Sequence, residues 1–456
     1  MLCGFCPAGD GQLPIFRKET PADVLFYAPG YLAVVDSLWA GKFEEDLCKV
    51  GPSTWAAIDD LRQHAASALQ IWSGIRSRPF APVCLTLYLN ERCNLDCIYC
   101  FASPGRRTLP AASFTLNAIQ GAARLVAQNC REAGRPFVVA FHGGGEPALD
   151  LAKMEHILEA IEEIAREYQL QVFRYIATGG AVPLENMLWL VQHFDLIGLS
   201  CDGPSEIQDY QRPFRNGRIS SEFVERAAEI IHAAHKPLHV RVTITSFSVT
   251  RQSEIAAYIC QKLRPQEIHV EQVYCGGRAD EKTRLDLEQA EEFVAHFFRA
   301  QAIARSYGIP WNSSGSRLDD IHGPYCNVFR NVLHLLPGNG AAACFKMTNT
   351  ATAGKSSLLI GNYDQATEQY NLDARLVQQK REVLSRPIPG CAKCFNQFHC
   401  SRLCPDHCAL EGEAPLSQTR CRIQALLAEQ MLQDAAQSWS ATQPRSNGVL
   451  SGRLAP

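Results

Sequence analysis

Short apolar segments alternate with longer amphipathic segments between residues 82 and 308, and this alternation limits the available folds more than any other feature. Segments rich in Val, Ile, Leu and Phe are typical of strands buried on both faces, whereas apolar residues three and four positions apart are typical of helices. A helix between two strands favours parallel pairing, because the crossover returns the chain to the same end of the sheet. The sequence therefore predicts an α/β core with a parallel sheet.

Six strands and six helices are predicted in this core. The strands are expected at Pro82–Leu89, Phe137–Phe141, Val172–Ala177, Leu196–Cys201, Leu238–Thr245 and Ile268–Tyr274. The helices are expected at Leu116–Glu132, Ala152–Tyr168, Leu184–His193, Glu222–His235, Glu254–Leu263 and Leu287–Tyr307. Ligand-binding residues in such sheets gather at the carboxyl ends of the strands, so the segments after each strand are where we expect a site.

The composition of the 456-residue chain narrows the function further. The length predicts two or three domains, and a net charge of −3 gives no electrostatic basis for binding nucleic acid. No apolar run approaches the roughly 18 residues of a membrane span, and the N-terminus lacks a signal sequence. We therefore expect a cytoplasmic protein without membrane contact, in which nineteen cysteines favour metal binding over disulfides.

Three cysteines with C-x3-C-x2-C spacing follow the first predicted strand, at Cys93, Cys97 and Cys100. A [4Fe–4S] cluster takes four thiolates, so three local thiolates leave one iron open to a ligand that is not protein. A structural zinc site and a set of buried free cysteines are the alternatives. The spacing, with Tyr99 and Phe101 beside the last cysteine, resembles the signature of the radical S-adenosylmethionine (SAM) enzymes.

This resemblance implies both a fold and a chemistry. The family core is a partial (β/α)6 barrel, which six strands with helical crossovers would fit. In the family the open iron chelates the amino and carboxylate groups of SAM, and an electron from the cluster splits SAM to a 5′-deoxyadenosyl radical. Tyr99 is then expected at the cofactor site, and an external donor such as flavodoxin or ferredoxin is expected to supply the electron.

Two further motifs follow the second and third strands. Gly144-Gly145-Glu146 resembles the family's GGE motif, which receives the methionyl amino group of SAM. Glycine allows a backbone to approach a ligand closely, and Glu146 adds an acceptor for an ammonium group. Thr178 ends the third strand and is followed by Gly179, where relatives often carry Asn. Any contact made by that Asn side chain must be absent here.

The fourth strand ends in Ser200-Cys201-Asp202-Gly203-Pro204, followed by Arg212. This segment resembles one found in the peptide- and protein-modifying branch of the family. The resemblance implies that Ser200 and an arginine, Arg212 or Arg226, hold the SAM carboxylate and that Asp202 lies near the ribose. The alternative is a plain turn, since Asp-Gly-Pro builds turns unaided.

Glu271 lies at the end of the sixth predicted strand and is the last polar group expected in the barrel mouth. A carboxylate there would be able to remove a proton from a substrate radical, as general-base chemistry requires. The alternative is an ion pair with an arginine such as Arg278.

The C-terminal third carries four cysteines with C-x2-C-x5-C-x3-C spacing from Cys391 to Cys404, with Cys421 after them and the pair Cys326 and Cys344 before them. This array resembles the SPASM domain, an extension of radical SAM enzymes that holds two auxiliary [4Fe–4S] clusters. The resemblance assigns the distal cluster to Cys391, Cys394, Cys400 and Cys421. It assigns the nearer cluster to Cys326, Cys344 and Cys404, with Cys408 as the candidate for the fourth ligand. Without Cys408, one iron would be open to a substrate thiolate. A zinc ribbon is the alternative for the array, and Asn339 stands where the family usually has glycine.

The chain is expected to divide into four segments, at 1–80, 81–310, 311–435 and 436–456. The first is a small α+β unit, with a hairpin at Val24–Val35 and a helix at Thr54–Ile75, that either packs on the core or docks a peptide at a sheet edge. Within this unit, Cys3 and Cys6 form an isolated C-x2-C pair, and two ligands alone do not make a metal site. The second and third are the radical SAM core and the SPASM domain, and the fourth, which lacks periodicity, is expected to be a flexible tail.

The sequence thus predicts a radical SAM/SPASM maturase. It would abstract hydrogen from a side chain of a ribosomally made peptide and install a crosslink or an oxidation. An anaerobic sulfatase-maturating enzyme, which forms formylglycine, has similar motifs and is the second hypothesis. A non-catalytic metal-binding scaffold is the alternative from a different class.

Overall fold

The structure, a computed structural model, describes residues 15–21, 23–36, 52–102, 113–274, 276–344, 347, 358–386, 391, 394–401, 418–443, 445 and 449–454. Within these residues the chain forms one large mixed sheet and one four-stranded antiparallel sheet. In the same residues no helix is both long and apolar enough to cross a membrane.

The centre of the large sheet confirms the predicted α/β core. Six parallel strands follow one another in chain order, as a partial (β/α)6 barrel requires. They are β4 (Cys84–Leu87), β5 (Phe137–Phe141), β6 (Val172–Thr178), β7 (Leu196–Ser200), β8 (Leu238–Ile244) and β9 (Glu267–Gln272). All six predicted strands are therefore present, with shifts of a few residues at their ends.

Helices connect these strands, six of them where the amphipathic segments predict them and one, at Ser205–Gln211, that was not predicted. They are α2 (Leu116–Ala133), α3 (Leu151–Glu167), α4 (Leu184–His193), α5 (Ser205–Gln211), α6 (Ser221–Ala233), α7 (Gln252–Tyr258) and α8 (Gln289–Ser306). Their apolar sides pack with the sheet into a single large core. Local signals set the ends of α2: the Thr115 hydroxyl accepts from the amide of Ala118, and Gly134 ends the helix with a φ of +62°. Such caps are each worth about 1 kcal/mol.

The two faces of the sheet differ in polarity, and this difference places the site. Along β8, Leu238, Val240, Val242 and Ile244 are buried against the helices, while the residues between them point to the other face. Since strand side chains alternate, that second face receives polar groups such as Arg241 and Glu271. A polar, partly accessible inner face beneath the carboxyl ends of the strands results.

The large sheet continues beyond the predicted core boundary at residue 310. Strand β10 (Trp311–Asn312) pairs parallel with β9, and β11 (Val332–Leu336) pairs parallel with β4. Strands β12 (Gly340–Ala342), β13 (Leu359–Asp364) and β14 (Gln369–Leu372) then extend the sheet by antiparallel hairpins. The helices α9 (Asn327–Arg330) and α10 (Ala374–Ser385) accompany them. Core and C-terminal region are therefore joined by backbone hydrogen bonds.

The second sheet contains the predicted hairpin and, unexpectedly, a strand at residues 449–453. Its order is β1 (Phe16–Glu19), β2 (Asp23–Ala28), β3 (Tyr31–Asp36) and β15 (Val449–Arg453). Helix α1 (Pro52–Ser77) covers one face and α11 (Gln418–Thr442) covers the other.

The prediction of a flexible tail beyond residue 436 is wrong for the described residues there. Helix α11 runs on to Thr442, and Val449 and Leu450 are buried in the sheet, at 5% and 4% exposure. Arg445 also donates to both carboxylate oxygens of Asp23, at 2.6 and 2.8 Å. The two apolar residues and this ion pair anchor a segment whose sequence shows no helical or strand periodicity.

Candidate active site

The loop after β4 carries the three predicted cluster cysteines and is held by the loop after β5. The amide of Gly145 donates to the carbonyl of Asn90 at 2.8 Å, and that of Glu146 donates to the carbonyl of Arg92 at 2.7 Å. A Cβ on Gly145 would lie 1.9 Å from the Arg92 oxygen, and one on Gly144, which has a φ of +75°, would lie 2.6 Å from the Asn90 oxygen. The glycines of the GGE motif are thus required for packing against the cysteine loop.

The three thiols of this loop are partly buried and interact electrostatically. Burial raises the pKa of Cys93 to about 11 and that of Cys97 to about 12, and the Cys100 thiol adds to both shifts. Partly buried thiols this close together fit a cationic iron–sulfur cluster, which would hold them as thiolates. No group of three or more His, Cys, Asp or Glu side chains in the described part of the chain is arranged to hold a single metal ion.

Glu146 joins the ends of β5 and β6. It is 4% exposed, and its carboxylate accepts from the amide of Ala148 at 3.0 Å, the hydroxyl of Thr178 at 2.8 Å and the amide of Gly179 at 2.7 Å. Burial raises the pKa of Glu146 in spite of these hydrogen bonds. In this structure the carboxylate oxygens of Glu146 bind protein groups at both strand ends and hold those ends together. The predicted contact with an ammonium group stays a prediction.

Gly179 is confined by the cysteine loop. A Cβ there would lie 3.0 Å from a methyl carbon of Leu95 and 3.3 Å from a carboxylate oxygen of Glu146. Glycine at this position therefore allows the loop to lie close to the end of β6.

Asp202 and Arg212 form a buried ion pair under the cysteine loop. Nε and Nη2 of Arg212 donate to the two Asp202 oxygens at 2.9 and 3.0 Å, and the side chains are 10% and 0% exposed. The carboxylate also accepts from the Tyr99 hydroxyl, from Gln211 Nε2 at 2.7 Å and from the amide of Thr243 at 2.9 Å. The Arg212 guanidinium lies 5.3 Å from the Tyr99 ring centroid.

This pair gives three of the predicted cofactor residues partners within the protein. Because Asp202 already binds four protein partners, it has a positioning role here, and the ribose contact stays a prediction. Arg212 and Tyr99 are bound to that same carboxylate and so lock the cysteine loop to the end of β7. The alternative arginine, Arg226, is exposed and lies over the Phe223 ring at 5.8 Å.

Glu271 is a poor candidate for the general base. Burial would raise its pKa, but the hydrogen bond and charge of His269, the charge of Arg420 and the hydrogen bonds of Ser314 together lower it to about 2. Its Oε1 accepts from the Ser314 amide at 2.8 Å, and Oε2 lies 3.9 Å from Nη2 of the fully buried Arg420. A carboxylate with this pKa holds a proton too weakly for base catalysis near neutral pH. The predicted pairing with an arginine is present, although with Arg420, because Arg278 pairs with Asp96.

Arg241 is a site residue that the sequence reasoning missed. It pairs with Ser200 in the register of β7 and β8, and its Nε donates to the Tyr175 hydroxyl at 3.2 Å. Gly198 leaves room for that tyrosine, since a Cβ there would lie 2.3 Å from its hydroxyl oxygen. Arg241 has no ion pair among the described residues. The alternation Val240-Arg241-Val242 in a buried strand was the signal for a cation on the inner face.

The described C-terminal cysteines fall into two neighbourhoods. Cys326 and Cys344 are each 1% exposed, and the amide of Asn327 donates to the carbonyl of Ala343 at 2.8 Å, which joins the residues beside them. Asn339, at a position where the resemblance predicts glycine, has a φ of +64°, a conformation that Asn tolerates better than most residues.

The second neighbourhood contains cysteines assigned to the distal cluster. The amide of Cys394 donates to the carbonyl of Cys391 at 3.0 Å, and burial and then the Cys421 thiol raise the pKa of Cys394. The backbone of Cys400 forms an isolated antiparallel β-bridge with that of Ser316. Cys404 and Cys408, like Cys3 and Cys6, lie outside the described residues.

Comparison with known proteins identifies the core. Residues 87–256 match the family described as Radical SAM superfamily. The cysteine-type anaerobic sulfatase-maturating enzyme of Clostridium perfringens (strain ATCC 13124) is 28% identical over 174 residues, which cover 37% of this chain and 46% of the relative. The chain thus matches about half the length of that curated relative.

Solved structures share the fold over most of the chain. Native anSMEcpe with bound AdoMet has a TM-score of 0.62 at 18% identity and covers 78% of this chain and 100% of its own. The same protein with AdoMet and the Cp18Cys peptide has a TM-score of 0.59 at 18% identity, covering 78% of this chain and 99% of its own. Streptococcus suis SuiB bound to S-adenosylmethionine has a TM-score of 0.52 at 14% identity and covers 84% and 94%. At these identities the likeness shows the fold alone, and the family match shows that this chain carries a radical SAM enzyme domain at residues 87–256.

Proposed function

We propose that the chain is a radical SAM maturase that cleaves SAM reductively and abstracts hydrogen from a side chain of a ribosomally made peptide, installing a crosslink or an oxidation. One observation carries this proposal: Glu146, Asp202 and the glycines of residues 144–145 hold the three-cysteine loop against the carboxyl ends of β5, β6 and β7. The cluster, when bound by Cys93, Cys97 and Cys100, supplies the electron that cleaves SAM.

The protein's part is to position SAM and to keep the cysteine loop in place. Ser200 and Arg241, neighbours across β7 and β8, would offer a hydroxyl and a guanidinium to the SAM carboxylate. Arg212, already bound to Asp202, would support the loop instead. The polar inner face formed by β8 and β9 would then receive the peptide side chain.

A peptide substrate is supported by the relatives. A structure of anSMEcpe is described with AdoMet and a Cp18Cys peptide, and the matching curated relative is named as a sulfatase-maturating enzyme. The antiparallel sheet formed by residues 16–36 and 449–453 has open edges at β1 and β15 among the described residues, and either edge would accept an extended leader peptide.

Two auxiliary [4Fe–4S] clusters would accept or relay the electron released from the substrate radical. The neighbourhood of Cys391, Cys394, Cys400 and Cys421 supports the distal cluster, and that of Cys326 and Cys344 supports the nearer one. An external one-electron donor and a cytoplasmic location belong to the same proposal.

A sulfatase-maturating activity is the second candidate, favoured by the sequence similarity to the Clostridium perfringens enzyme. That activity needs a base for the substrate radical, and Glu271, the residue predicted for this role, is tied to Arg420 and His269. The first function therefore fits the site better.

The reaction products distinguish the two proposed functions. Protein reconstituted with iron and sulfide without air is given SAM, dithionite and synthetic peptides: the short Cys-, Gly- or aromatic-rich peptides encoded beside the gene, and a sulfatase-derived cysteine peptide. We expect 5′-deoxyadenosine and the loss of hydrogen from an encoded peptide. Formylglycine in the sulfatase peptide would select the second function. Iron-loaded protein that releases no deoxyadenosine would overturn both and favour a scaffold.

A further inference from the structure

The segment 211–219 forms an outer wall of the cysteine loop. The amide of Asp96 donates to the carbonyl of Pro213 at 2.7 Å, that of Ile98 to Gln211 at 3.0 Å, and that of Arg215 to Asn94 at 3.0 Å. Leu95 and Phe214 form an isolated β-bridge in the middle of these bonds. Residues between the first and third cluster cysteines are thus joined directly to this segment.

The far side of the segment faces solvent. A tight turn, closed by hydrogen bonds of 3.0 Å from Phe214 to Arg218 and 2.9 Å from Gly217 to Phe214, presents residues 215–219 as exposed side chains. Gly217 has a φ of +77°, which suits glycine in such a turn. The segment is therefore a fixed surface, with solvent on one side and the cysteine loop on the other.

This surface is positive although the whole chain carries a net charge of −3. Arg215, Arg218 and Arg226 are exposed, and the Arg215 guanidinium is close enough to Cys93 to act on it electrostatically. Arg218 lies over the Phe214 and Phe223 rings at 5.8 and 5.7 Å. Neither Arg218 nor Arg226 forms an ion pair with a described residue, and Glu222 is the exposed acid nearest in sequence.

We propose that Arg215, Arg218 and Arg226, with the exposed Ile219, form the docking surface for an acidic, low-potential protein that donates one electron. This inference rests on the proposed function. The donor would be oxidised by one electron, and the cluster bound by Cys93, Cys97 and Cys100 would be reduced by one. Charge complementarity selects such a partner, and the backbone bonds to residues 94–98 place it next to the group that it must reduce.

Binding is the first test. The affinity of an acidic flavodoxin for the full-length protein is measured by surface plasmon resonance at low and high salt, for wild type, Arg218→Gln and Arg218→Glu. Arg299→Glu, an exposed change of equal charge on α8, is the matched control. We expect a graded loss, about tenfold for Arg218→Glu at low salt and shrinking as salt rises, because surface charges are screened within about 10 Å at 0.1 M salt.

Reduction is the second test and separates this inference from the proposed function. With reduced flavodoxin as donor, Arg218→Glu is expected to slow deoxyadenosine formation in step with its weaker binding. With dithionite, which needs no docking surface, its rate is expected to equal that of wild type. Equal flavodoxin binding by Arg218→Glu and the Arg299→Glu control would overturn the inference, as would weaker peptide binding with unchanged flavodoxin binding. No deoxyadenosine from wild type with dithionite would instead refute the proposed function.

Discussion

Replacing Asp202 by Asn tests the claim that this residue supports the cysteine loop. The substitution keeps the shape of the side chain but removes its charge, leaving the 10%-exposed Arg212 guanidinium opposite a neutral amide. Two donors from Arg212 and one each from Gln211, Tyr99 and the Thr243 amide now meet a weaker acceptor or an N–H group.

The expected cost follows from the burial of the pair. Removing one partner of a buried ion pair costs about 3–5 kcal/mol. If the loop opens together with the pair, about 3 kcal/mol corresponds to roughly a 100-fold loss of exchange protection, at about 1.4 kcal/mol for each factor of ten. The amides that report this opening are those of Asp96 and Ile98, which donate to the carbonyls of Pro213 and Gln211 on either side of Arg212.

Hydrogen exchange followed by mass spectrometry, without air, measures this loss on peptides covering residues 93–100. Asp434→Asn, an exposed change on α11, is the control and is expected to leave that region unchanged. The SAM dissociation constant is measured on the same samples. Unchanged exchange in Asp202→Asn together with a large loss of SAM affinity would refute the reasoning, because it would place Asp202 in direct contact with SAM.

Three further perturbations test other parts of the account. The pKa of Glu271 is depressed to about 2, so the ionised carboxylate stabilises the fold fully above its ordinary pKa of 4.5, and this stabilisation is lost as pH falls from 4.5 towards 2. Glu271→Gln should therefore lower the thermal unfolding midpoint at neutral pH and change it less below pH 4.5. An unchanged midpoint at neutral pH would argue against the pairing with Arg420. Gly145→Ala should prevent loading of iron at the core site, because the new Cβ would lie 1.9 Å from the Arg92 carbonyl oxygen. Gly276→Ala is the control, since its new Cβ would have no contact within 4 Å. Equal iron contents in the two variants would contradict this prediction. Arg445→Ala removes the ion pair with Asp23, which is worth about 1 kcal/mol at a partly exposed site. The variant should be cleaved faster by protease at residues 443–454. Equal cleavage of wild type and variant would show that β15 does not depend on this pair.

The parts of the fold that the sequence predicted are those in which one physical signal dominates. Strands such as Phe137–Phe141 are buried and bounded by amphipathic helices, so composition and periodicity agree. Strand β15 was missed because its five residues include Gly and exposed Ser and Arg, and only its pairing with β3 makes it a strand. β12 was missed because it has only three residues, all Gly or Ala, and it is a strand only through its pairing with β11 and β13.

The candidate site divides in the same way. The cysteine loop and the glycines at 144–145 were singled out because their spacing resembles the family's motifs, and the structure packs the two loops together. Their contacts with a cluster and with SAM stay predictions. The protein partners of Asp202, Arg212 and Glu271 were not predicted, because each depends on which distant residue it meets: Asp202 meets Tyr99, and Glu271 meets Arg420. Sequence order indicates that these residues lie near strand ends, but it does not indicate how their charges are paired.

The most direct test of the central claim is electron paramagnetic resonance of reduced protein with and without SAM, combined with iron analysis. The wild type is compared with a Cys93/Cys97/Cys100 triple-Ala variant and with a control triple-Ala variant at Cys84, Cys130 and Cys260. The account predicts a [4Fe–4S] signal that SAM changes in wild type and control, and loss of about four irons with the SAM-sensitive signal in the Cys93/Cys97/Cys100 variant. Equal iron in all three proteins and no response to SAM would contradict it.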